Sequence, residues 1–146
     1  MKKAYTIVAL MVLVGSMAVA AQAQTGSRTQ LVASIPFQFN VGDQTMPAGD
    51  YTISQVNPSS DHAVLRLRSK DGSRTVMIQM NNVIGKAREG SQLIFNRLGG
   101  AYYFSQAWMS SDDTGWQAQK SKAERSARQE VAGMKTSTET VALRRR

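Results

Sequence analysis

The sequence predicts an all-β fold: a small antiparallel β-sandwich or partly open barrel of about six strands, followed by one short C-terminal helix. Three observations predict it. Apolar and polar residues alternate over several short stretches, which gives a strand one buried and one wet face. Asp71-Gly72 and Gly99-Gly100 each lie between two such stretches, where hairpin turns belong. From Lys120 the composition shifts to Ala, Lys, Arg, Glu and Gln, which favour helix.

The elements follow in order. Lys2 and Lys3 precede the apolar run Ile7 to Val14, and Ala21-Gln22-Ala23 offers the small-x-small pattern of a cleavage site. Residues 1–23 are expected to be a signal peptide. The apolar stretch from Ile7 to Ala21 is interrupted by Gly15 and Ser16 and is shorter than the roughly 20 residues a span needs. No later segment is expected to span a membrane as a helix. Residues 24–30 are expected to be a disordered leader, and residues 31–118 the β domain.

In that domain Leu31, Ala33, Ile35, Phe37, Phe39 and Val41 share one parity, while Ser34, Gln38 and Asn40 take the other. Pro36 lacks an N–H, which argues for an edge or a bulge. Gly42-Asp43-Gln44-Thr45 reads as a turn. Met46-Pro47-Ala48-Gly49 reads as a corner that delivers a second strand with Tyr51 aimed at the core. With Asp71-Gly72 as a two-residue loop, Leu67 faces Val76, Leu65 faces Ile78 and Ala63 faces Met80. Arg68 then faces Thr75, and Arg66 faces Met77. A one-residue slip would destroy this match. The Gly99-Gly100 turn pairs Phe95 with Phe104, Leu93 with Gln106 and Arg97 with Tyr102, and Trp108 continues the Phe104 face. Residues 119–132 are expected to form the helix, with Ser121 and Glu124 as a capping box and Ala123, Ala127 and Val131 as a thin apolar stripe. Residues 133–146 are expected to be a disordered basic tail.

Composition bounds the chemistry. The chain has no cysteine, which removes disulfides, thiol nucleophiles and zinc fingers. Its formal charge is +8, falling to about +6 once Lys2 and Lys3 are removed. Much of the excess sits around Arg66 to Arg74 and at Arg144-Arg145-Arg146. His62 is the one histidine. Asp61 beside it would point to the opposite face of a strand, so the two do not begin a triad. Asp112 and Asp113 lack the spaced ligands of an EF-hand loop. The acids of the β region lie mainly at predicted turns, where Asp binds nearby N–H groups. Gly85 to Gly90 lacks the Lys-Ser/Thr of a phosphate loop. No catalytic, cofactor-binding or metal-ligating residue is expected.

Binding is the class that remains. The candidate binding residues are Arg66, Arg68 and Arg74, near Lys70 on one hairpin, and Tyr102, Trp108 and Trp116 as aromatic surface. Basic residues with nearby aromatics can bind nucleic acid or anionic glycans. Against this, surface arginines commonly guard a sheet from edge pairing, and strand aromatics commonly fill the core.

The run "PFQFNVGDQTMPAGDYTI", the Asp-Gly hairpin, "LIFNRLGGAYYFSQAW" and "KSKAER" together resemble a family of small secreted proteins of unknown function common in Acidobacteria. The resemblance covers Ile35 to Arg128. It rests on Phe39, Val41, Gly42, Pro47, Ala48, Gly49, Tyr51, Trp108, Ser121 and Glu124. It implies export and a common fold, and it transfers no catalytic residue. The expectation is an exported, non-enzymatic β-sandwich protein that binds or builds at the cell envelope, periplasmic or extracellular. The alternative is a binder of anionic polymer or glycan through a basic hairpin face. Its expected partners are an anionic envelope polymer, a glycan or an envelope protein.

Overall fold

A computed structural model describes residues 30–58, 62–134 and 136–146. The predicted signal peptide, the leader apart from Gln30, and Asp61 lie outside the described residues. The fold is all-β and sandwich-like, with eleven strands and one helix among the described residues.

The strands are β1 (Leu31–Ile35), β2 (Phe39–Val41), β3 (Gln44–Met46), β4 (Gly49–Gln55), β5 (Ala63–Ser69) and β6 (Thr75–Ile84). Then come β7 (Gln92–Leu98), β8 (Ala101–Trp108) and β9 (Thr114–Ala118), the helix α1 (Lys122–Glu130), β10 (Ser137–Ala142) and β11 (Arg144–Arg145). The strand order is β10-β7-β8-β9-β6-β5-β4-β1-β11, with β2 and β3 attached through β8. Pairing is antiparallel except where β2 meets β8 at Asn40 and Tyr103.

Eleven strands replace the predicted six because several are very short. Pro36 splits the first predicted strand into β1 and β2, and β3 adds only three residues. The larger correction is the tail. Residues 137–142 pair with β7, and residues 144 and 145 pair with β1. Val141 and Leu143, two residues apart, both turn into the core. Their burial supplies the apolar area that orders the segment. The two ends of the strand order therefore rest on one piece of chain, broken only at Leu143.

The inner faces are filled by aromatics and branched aliphatics. Phe39 meets Tyr51 and Phe95 edge-on, with ring centroids 5.3 Å apart in each pair. Tyr51 is 1% exposed, and its hydroxyl donates to Pro47 O at 2.6 Å. The Pro-Ala-Gly corner thus delivers a buried tyrosine and also satisfies its polar end. Burial pushes the Tyr51 phenol above its ordinary value; nearby Asp71 raises it further and Arg74 opposes.

The β5–β6 hairpin has the predicted register at every pair from Ala63–Met80 to Arg68–Thr75. Its loop is longer than predicted. Ser69 N donates to Arg74 O at 2.9 Å, so residues 70–73 form the loop. Asp71 Oδ1 accepts from Ser69 Oγ at 2.6 Å and from Ser73 N at 3.0 Å. Two- and four-residue loops about one centre leave the register unchanged.

The β7–β8 hairpin departs further. Arg97–Tyr102 and Phe95–Phe104 pair as predicted, but the register shifts between Ile94 and Phe95. Leu93 then faces Ala107, not Gln106. The bulge at Ser105 turns apolar Ala107 inward and Gln106 outward. It also corrects the placement of Trp108, which leaves the Phe104 face and lies on the outer side of the sheet.

The helix docks differently from its predicted stripe. Ala123 is exposed, and Glu124 is the buried residue of α1. Half of the capping box forms, since Ser121 Oγ accepts from Glu124 N at 3.1 Å. The Glu124 carboxylate turns to β7 instead, where Oε1 accepts from Asn96 Nδ2 at 2.9 Å.

Candidate functional site

The strand registers place the candidate residues. Side chains alternate across a strand, and Leu65 and Leu67 point inward, so Arg66 and Arg68 point outward. Arg66 lies between Ser54 on β4 and Met77 on β6, and Arg68 between Thr52 and Thr75. Arg74 does not join them. It pairs with Ser69, which pairs with Tyr51, so it belongs to the opposite parity. Lys70 joins from the loop: its N donates to Asp50 O at 2.9 Å, and its Nζ lies 3.7 Å from Asp50 Oδ2.

The aromatic candidates form no common surface. Tyr102 stacks on Phe37 with centroids 3.9 Å apart and planes 15° apart. Trp116 packs against the core from β9. Trp108 is 3% exposed. Its indole lies across Gly115 and Gly85; a Cβ there would stand 2.6 Å and 2.5 Å from ring carbons. Arg88 covers the ring at 4.8 Å, and the indole N–H donates to Gln106 Oε1 at 2.9 Å. These three rings are structural in position.

The predicted tail supplies what the aromatics do not. Arg144 pairs with Val32, Val32 with Thr52, and Thr52 with Arg68. One row therefore runs Arg144–Val32–Thr52–Arg68 across β11, β1, β4 and β5. Arg146 follows beside β1, where its N donates to Gln30 O at 3.1 Å, and Arg66 lies one pair further along β5, opposite Ser54. The Arg146 guanidinium also donates to Gln30 Oε1 at 3.4 Å. The two basic runs of the sequence thus flank one strip of the outer face. Along it a groove of about 530 Å³ is lined by Val32, Ser34, Thr52, Lys70, Arg144 and Arg146, among others. Asp50 is the acidic residue in its wall.

Arg144 and Arg146 are the residues that reading the sequence missed. The signal was present: Val141 and Leu143 alternate with Ala142 and Arg144, the period of a strand.

The remaining polar groups hold turns. Thr114 N donates to Asp112 Oδ1 at 2.9 Å, and Gly85 N to Asp113 O at 2.8 Å. His62 is exposed, and its carbonyl accepts from Asn57 Nδ2 at 2.6 Å. Among the described residues no three histidines or carboxylates converge as metal ligands, and no helix is long and apolar enough to cross a membrane. No protein family, curated protein or solved structure matches the chain.

Proposed function

We propose that this chain is an exported, non-enzymatic protein of the cell envelope that works by binding. The observation that carries the reading is the outward row of β5, where Arg66 and Arg68 stand between the hydroxyl side chains of Ser54 and Thr52 and the next strand. Cations held in line on a rigid sheet present a fixed pattern of charge, which attracts anionic partners before contact. The signal-like start, Lys2-Lys3 then the apolar run Ile7 to Val14, supports export. The resemblance to small secreted proteins points the same way. The preferred partner is an anionic component of the envelope.

A pull-down from envelope extract with the full chain, washed at low and high salt, tests this. The expected result is capture of an anionic component that Arg66→Ala and Arg68→Ala together release. Equal capture by that double variant and the unaltered chain would overturn the reading.

A further inference from the structure

Arg144 and Arg146 look expendable in the sequence, yet the fold pins both beside β1. Arg144 is held by its pairing with Val32, and Arg146 by its backbone bond to Gln30. The cations of the hairpin and of the tail then lie on the same outer face. Arg144 and Arg68 are three strand spacings apart, about 14 Å between backbones. Lys70, Arg144 and Arg146 line the groove between them, and the Arg68 guanidinium stands over the hairpin loop at Gly72.

That strip carries Val32, Thr52 and Ser34, small or hydroxyl-bearing side chains, while Ser54 beside them is buried. Tyr51 also borders the groove, but it is 1% exposed and its ring is turned into the core. Tyr102, Trp108 and Trp116 are committed to Phe37, to the Gly115 shelf and to the core. Single-stranded nucleic acid binding draws on base stacking against exposed rings. Hydroxyls between two lines of arginine suit a polymer that has its own hydroxyls and regularly spaced anions. Asp50, the acid in this groove, is occupied by Lys70 at 3.7 Å.

We infer that the hairpin and the C-terminal segment form one composite site for an acidic polysaccharide, with Arg66, Arg68 and Lys70 on one bank and Arg144 and Arg146 on the other. The inference rests on the proposed function and adds both the ligand class and the second bank. Each arginine acts as a charge-assisted donor, exposed at Arg68, Arg144 and Arg146 and half-buried at Arg66. Binding therefore weakens as salt rises.

The full chain is titrated with polygalacturonate, with neutral dextran and with oligothymidylate at low salt. Four chains are compared: unaltered, Arg66→Gln with Arg68→Gln, Arg144→Gln with Arg146→Gln, and Arg144→Lys with Arg146→Lys, which separates charge from packing. Melting temperatures are measured on all four. The expected result is binding to polygalacturonate over dextran and oligothymidylate, weakened about tenfold by either Gln pair and retained by the Lys pair. Loss with the hairpin pair alone would overturn the composite site and leave the proposed function standing. Loss with the tail pair alone would overturn the shared face and, since the hairpin arginines would then contribute nothing, the proposed function with it. Tighter binding to oligothymidylate would overturn the ligand class. No binding to any polyanion, or binding indifferent to both pairs, would overturn the inference and the proposed function together.

Discussion

The outer side of β7 and β8 and the outer side of β4 to β6 begin from the same alternating strand pattern and end differently. On β7 and β8 the outward residues Ile94, Leu98, Tyr103 and Trp108 are all buried. Helix α1 docks there through Glu124 and Asn96, and Arg88 covers the indole. On β4 to β6 the outward residues are Thr52, Arg66, Arg68 and Met77, and Met77 is 57% exposed. The difference teaches that a sheet's second face is decided by what the rest of the chain has to lay on it. One half became a second core. The other kept its charge in water.

The contrast breaks most severely at Trp108. Trp108→Ala is expected to lower unfolding free energy by about 3–5 kcal/mol, while Met77→Ala on the open half stays within about 0.5 kcal/mol. Urea unfolding of both variants checks this; equal effects would mean the halves do not differ. Gly115→Ala sharpens the same point. Its Cβ would stand 2.6 Å from the indole, so the ring must shift. The expected loss is about 1–3 kcal/mol, and it should vanish in a Trp108→Ala background, where the shelf has nothing to hold.

A smaller effect belongs to the helix contact. Glu124→Ala leaves the Asn96 amide without its acceptor and is expected to lose about 1–2 kcal/mol. Faster amide hydrogen exchange confined to α1 and β7 would accompany it. The smallest effect lies at the tip of the open half. Asp71 is held at about 2, below its ordinary 3.8, first by the Ser69 hydroxyl and then by Ser73. A depressed folded value favours the charged form. Its contribution is present above pH 3.8 and is lost as pH falls toward about 2. Asp71→Asn should flatten the fall of the unfolding midpoint in that window; an unchanged pH profile would show that the turn contributes nothing.

What the sequence revealed followed local rules. Asp71-Gly72 fixed the pairing of Leu67 with Val76 because parity survives a change of loop length. Tyr51 was legible because the Pro47–Gly49 corner and the alternation after it agree. The bulge at Ser105 was not legible, since nothing local favours Ala107 over Gln106 as the inward residue; the core opposite Leu93 decides. Glu124 was hidden for a similar reason, because its partner Asn96 is distant in sequence. Of the candidate site, Arg66 and Arg68 could be placed by register alone. Arg144 and Arg146 could not, because a three-arginine run reads as solvated tail until a sheet edge is found for it. The aromatic candidates misled because ring content alone does not say which side of a strand a bulge will leave them on.

The shared C-terminal segment also bears on how the molecule reaches this state. Residue 31 pairs with residue 145, and residue 97 with residue 137. Neither edge of the sheet is covered until residues 137–145 arrive. Contacts this distant in sequence slow folding, to roughly milliseconds to seconds in all-β chains. During that interval β1 and β7 each show an open row of N–H and C=O groups, the usual template for intermolecular pairing. The segment that brings Arg144 and Arg146 to the outer face thus also covers both edges of the sheet, and a chain clipped before Ser137 would keep two sticky edges in place of one finished surface.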